Sequence, residues 1–140
     1  MARATFAIKT RVDPPEARRY AFAEQKTMYD GKRIAVGDAI FVFASENDGG
    51  SGLVAKGVVG AVEPTPRKVG IERQTPRVSI VVERTALATR RLGRSELKGC
   101  SDWNDGRPET ELNFKFYRQA TDKIIGISEG TARFLDGFFF

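Results

Sequence analysis

The clearest pattern in the chain is a pair of apolar runs split by a polar, glycine-rich loop. Ala39-Ile40-Phe41-Val42-Phe43-Ala44 leads into Ser45-Glu46-Asn47-Asp48-Gly49-Gly50-Ser51-Gly52, and Leu53-Val54-Ala55-Lys56-Gly57-Val58-Val59-Gly60-Ala61-Val62 follows. Two such runs around a turn-rich loop predict a β-hairpin. The first run is apolar on both faces, which predicts a central, buried strand. The second carries Gly57 and Gly60. Glycine inside a strand marks a bulge or a close backbone approach, and the corners of a small barrel need both.

The flanking segments are read the same way. Residues 5–10 alternate weakly and predict a short strand. Asp13-Pro14-Pro15-Glu16 has helix-start chemistry, with Asp13 as cap and Pro14 at the first helical position. Ala17, Tyr20 and Ala21 then share a helical face, so a helix is expected to about Lys26. Residues 28–37 form a linker with turn signals at Asp30-Gly31 and Val36-Gly37-Asp38, and residues 67–76 form a long basic loop. Val78, Ile80 and Val82 alternate as a strand, and so do Leu112, Phe114 and Phe116. Between these strands lie one helical turn opened by Ser95 and a polar loop, residues 100–110, carrying Trp103. Residues 123–127 predict a short strand. Ser128 caps a final helix with Thr131, Phe134, Leu135 and Phe138 on its apolar face. Five or six short strands that do not alternate with helices argue against a doubly wound sheet. The expected class is α+β: a small, mostly antiparallel barrel with flanking helices, forming a single domain across residues 1–140.

Composition narrows the chemistry. The 140 residues include no histidine and one cysteine, Cys100. Zinc sites draw on Cys and His, and His is the commonest general acid or base, so neither a metal nor another cofactor is expected, and binding is favoured over catalysis. No apolar run approaches the roughly 20 residues of a membrane span, so no membrane partner is expected. Residues 1–5 lack a secretory leader pattern. A lone cysteine fits a reducing compartment, and a cytoplasmic location is expected.

The formal net charge of +5 is unevenly distributed. Residues 67–94 hold eight Lys/Arg against two acids, and residues 1–33 hold eight against four. Residues 34–66 and 100–113 each carry a balance of −3. Segregated basic charge is the footprint of a polyanion-binding face. A solvated basic surface would look the same by charge alone.

Val36-Gly37-Asp38, the apolar run ending in Ser45, the polar loop with Asn47, and the glycine-bearing second run together resemble the core of the EVE domain. That family belongs to the PUA-like superfamily, with ASCH and YTH domains. Phe6-Ala7-Ile8-Lys9-Thr10 is loosely similar to the strand that opens EVE domains. The resemblance implies a pseudo-barrel with helices at its ends, and a pocket for a nucleobase, often a modified one, flipped out of DNA or RNA. It implies no catalysis. At residues 28–36 the family's pocket-lining Arg-Asn-Tyr-type segment is replaced by one carrying Lys32-Arg33.

On that resemblance Ser45 and Asn47 are the ligand candidates of the hairpin loop, with Thr10 and Arg11 beside them at the end of the first strand. An amide can pair with a base edge, and a hydroxyl can donate or accept. An ordinary polar turn would use the same residues. Trp103 and Tyr117 are candidates for stacking on a base, against the alternatives of a core lid for Trp103 and strand-end packing for Tyr117. Lys32, Arg33, Arg67, Lys68, Arg90, Arg91, Arg94 and Arg118 are candidates for phosphates, not all expected on one face. The expected partner is nucleic acid, DNA or RNA, with a modified base among the possible ligands. Two other readings stay open. One is an ASCH-like hydrolase or nuclease using Glu46, Asp48 or Lys9 as base or nucleophile. The other is a protein-interaction module.

Overall fold

The computed structural model describes residues 4–66, 69–70, 75–117 and 123–139. Six strands close into a barrel: β1 (Thr5–Thr10), β2 (Arg19–Met28), β3 (Ala39–Ala44), β4 (Gly52–Pro64), β5 (Arg77–Leu87) and β6 (Lys123–Ile127). Around the barrel they run β1-β3-β4-β5-β2-β6, and β6 pairs back onto β1. The β1–β3 and β2–β6 pairs are parallel and the rest antiparallel, so the sheet is mixed and mostly antiparallel. Among the described residues three short α-helices, α1 (Arg94–Leu97), α2 (Pro108–Leu112) and α3 (Glu129–Asp136), and several three-ten and π-helical turns join these strands.

Because strand side chains alternate in direction, the sheet has two apolar faces. Phe6, Ile8, Ile40, Val42, Val59, Ile80, Val82 and Ile124 fill the barrel. Ala7, Phe41, Phe43 and Ile125 form an outer layer with Leu97, Leu112, Phe116, Leu135 and Phe138 of the helical segments. The opening hairpin supplies both faces, which is why its first strand is apolar throughout. Gly57 sits at a register shift between β4 and β5. A Cβ there would lie 2.4 Å from the Glu83 carbonyl oxygen, so only glycine admits this approach.

Two expected elements are different in the structure. The helix expected from Asp13 to Lys26 is strand β2, preceded by a turn in which the Ala17 N–H donates to the Pro14 carbonyl. Tyr20 and Phe22 point into the barrel while Arg19, Ala21 and Ala23 face out. Without this strand β5 and β6 would be left as open edges, and ladder pairing outweighs the local cap signal. The strand expected over Leu112, Phe114 and Phe116 is the end of α2 running into a π-helical turn, Asn113–Tyr117. Leu112 and Phe116 are four apart and both fully buried, so they share one helical face, while Phe114 between them turns away and meets Trp103. Pro108 at the first turn starts that helix.

Candidate functional site

The carboxyl ends of β1 and β3 lie side by side because the two strands are parallel. The ladder continues one step past them: the Ser45 N–H donates to the Thr10 carbonyl at 2.9 Å. Beyond Ser45 the chain makes a three-ten turn, Glu46–Asp48, passes Gly49 at φ +84°, and folds back so that the Gly50 N–H donates to the Ser45 carbonyl at 2.8 Å. A cavity of about 300 Å³ opens at this mouth, walled by residues 11–13, Pro15, Ala44 and residues 48–51. Arg11 stands on its rim; Thr10 and Ser45, the chain neighbours of the lining residues Arg11 and Ala44, are buried and do not line it.

Ser45 is the unusual member. It is 1% exposed, and its hydroxyl has no hydrogen-bond partner among the described residues. Buried hydroxyls are normally paired, and leaving one unpaired costs about 1–3 kcal/mol.

The loop that carries Ser45 is tied to the helical layer through charged groups. The Glu46 carboxylate accepts the Arg94 backbone N–H at 2.6 Å and the Tyr117 hydroxyl at 3.1 and 3.2 Å to its two oxygens. The Asn47 side-chain oxygen accepts from the Arg94 guanidinium at 2.8 Å. The Lys9 ammonium donates to the Phe116 carbonyl at 2.9 Å and lies 4.4 Å from the centre of the Tyr117 ring. Burial, together with the charge of Glu46 and its hydrogen bond, pushes the Tyr117 phenol far above its ordinary pKa. Lys123 faces Lys9 across the β1–β6 ladder and is fully buried. Burial first, and the charge of Lys9 second, bring its ammonium down to about 8.

Thr10, Arg11, Ser45, Asn47, Tyr117 and Arg94 thus gather at one end of the barrel. Arg90 and Arg91 lie beside them, lining a second cavity of about 380 Å³ that shares Pro15 and Ser51 with the first. Trp103 stands apart. It is 56% exposed rather than a core lid, meets Phe114 edge-on with ring centres 4.9 Å apart, and lines neither cavity. Lys32 and Arg33 sit exposed in the three-ten turn after β2, also away from both cavities. Arg67, Lys68 and Arg118 lie outside the described residues. Lys9 and Glu46, raised from sequence as possible reactive groups, tie this end of the barrel to the helical layer through the contacts given above. The available signal was a lysine in an otherwise apolar strand, and the same signal marks Lys123. Among the described residues no group of three or more His, Cys, Asp or Glu could hold a metal ion. No helix among them is long and apolar enough to cross a membrane.

The fold is thus a closed barrel with a small cavity, partly polar in its lining, at its mouth. Solved structures of the same fold cover nearly the whole chain. Human THYN1 protein, in a complex with DNA containing 5-methylcytosine, superposes with a TM-score of 0.62 at 12% identity over 94% of each chain. A Pseudomonas putida protein gives 0.63 at 14%, covering 96% of this chain and 99% of the other. The DUF55 domain of human thymocyte nuclear protein 1 gives 0.59 at 9%, covering 94% and 95%. The fold is therefore the one that these proteins share, a closed six-stranded mixed barrel with flanking helices. No family model and no curated protein matches the sequence.

Proposed function

We propose that the chain is a nucleic-acid-binding module that holds one nucleobase, modified bases included, in the cavity at the barrel mouth. The observation that carries this reading is the cavity beside the ends of β1 and β3, with Arg11, Asp48 and Ser51 in its wall and, in the residue after the lining Ala44, the Ser45 hydroxyl buried with no partner among the described residues. Polar groups in such a wall can exchange hydrogen bonds with a base edge, which presents both donors and acceptors. Arg11 on the rim serves a phosphate. The Gly49-Gly50 turn lets a planar ring approach the backbone closely. The DNA bound by the structurally similar human protein supports the ligand class.

The test is fluorescence anisotropy with labelled oligonucleotides that carry cytosine or 5-methylcytosine at one position, at two salt concentrations. Saturable binding that weakens with salt is expected, with log K falling by about 0.7–0.9 per phosphate contact for each unit of log salt. Ser45→Ala is expected to remove discrimination between bases while leaving the salt-dependent component. Full discrimination in Ser45→Ala would overturn the reading.

A further inference from the structure

The second cavity lies next to the first, and its position is informative. Pro15 and Ser51 belong to both walls, so the two form one groove across the barrel end. The new part has an apolar floor, with Leu53, Val54 and Leu87, and a basic end, Arg90 and Arg91. A groove lined by aliphatic side chains and two guanidinium groups suits a nucleotide, with the face of a base or sugar against the aliphatic side chains and a phosphate on the cations. Arg90 is already placed, donating to the Gly137 carbonyl at 3.2 Å and lying 4.7 Å from the centre of the Phe138 ring. Arg91 is exposed, and its ion pair with Glu96 is long, 3.9 Å, so its head can turn to a phosphate at little cost. Glu16 is the acid in this wall and can accept from a sugar hydroxyl or a base amine, but repels a phosphate, which places the phosphate at the arginine end.

We propose that the second cavity seats the nucleotide next to the held base, so that the ligand is a polynucleotide segment of at least two residues passing over Pro15 and Ser51. Arg91 contacts the phosphate of the flanking nucleotide, and Arg90 fixes the wall beside it. This rests on the reading of the mouth cavity as a base pocket.

Calorimetric titration with 5-methyldeoxycytidine monophosphate, then with di- and trinucleotides extended from it on either side, separates the two claims. Extension on one side is expected to tighten binding about tenfold, from one added phosphate contact and the burial of one residue against aliphatic side chains. Arg91→Ala and Leu87→Glu are expected to lose that gain and keep the affinity for the monophosphate. Leu87 is 38% exposed, so the second variant is expected to fold, and a matching circular dichroism spectrum checks it. Monophosphate binding with no gain on extension, or a gain that survives both substitutions, overturns the two-nucleotide groove and leaves the base pocket standing. No binding of any of these probes overturns both.

Discussion

The Glu46 carboxylate accepts the backbone N–H of Arg94 at 2.6 Å, joining residues 48 apart in sequence. Through that contact the polar loop after β3 and the start of α1 become one wall. The Tyr117 hydroxyl closes the same carboxylate from the helical side. Glu46→Ala leaves a half-buried phenol and an amide without their acceptor and is expected to cost about 2 kcal/mol, read from urea unfolding. Glu46→Gln keeps one acceptor oxygen and should cost about half as much. Tyr117→Phe should remove the most alkaline tyrosine from the ultraviolet titration of the protein.

Glu111 is the acid whose titration stability should follow. Burial by itself would raise its pKa. Hydrogen bonds from Thr131, Ser128 and Lys115 outweigh that and hold it below the ordinary carboxylate value of 4.5. Because the folded value is depressed, the stabilisation is complete above the unfolded pKa and is lost as pH falls through the folded one. Melting temperatures between pH 6 and 3 should therefore fall more steeply for the native chain than for Glu111→Gln.

Lys123 works in the opposite range. Its folded pKa of about 8 lies under the unfolded 10.5, so between these values the unfolded chain binds more protons. The penalty of the buried charge is complete below pH 8 and disappears as pH rises to 10.5. Lys123→Met should therefore be stabilising relative to the native chain at pH 7, with the difference shrinking towards pH 10. Lys9→Met should bring the titration of Lys123 back up, since Lys9 is the second cause of the shift.

The C-terminal segment holds the outer groove wall. The Thr89 N–H and hydroxyl both donate to the Phe138 carbonyl, at 2.8 and 3.1 Å, and the Phe138 ring is buried against Phe134. Phe138→Ala is expected to cost about 3 kcal/mol, as other buried Phe→Ala changes do. Hydrogen exchange should quicken at the Thr89 amide more than at β3 amides.

At Gly57 an added methyl would collide with the Glu83 carbonyl of the neighbouring strand. Gly57→Ala should therefore lower stability by more than about 1 kcal/mol, whereas Gly99→Ala, with open space around it, should be nearly neutral. Thermal unfolding of the two variants checks the contrast.

The sequence by itself determined the hairpin, the strands at both ends of the chain and the final helix. In each of these the periodicity, a cap or a glycine states a local preference that packing also favours. Pattern alone placed Ser45 and Asn47 in a hairpin loop and Thr10 and Arg11 at a strand end; that the two ends are neighbours came from the family resemblance, and in the structure it follows from the parallel pairing of β1 with β3. Tertiary structure decided the rest. Residues 19–28 became a strand because the barrel had to close, and residues 112–117 became helical because Leu112 and Phe116 had to cover one outer face together. It also decided that Glu46 and Lys9 tie this end of the barrel to the helical layer, that Ser45 is buried without a partner among the described residues, and that Arg90 and Arg91 share a groove with Pro15. Those relations join residues far apart in the chain, and they exist only once loop closure has been offset by burial of the two apolar layers.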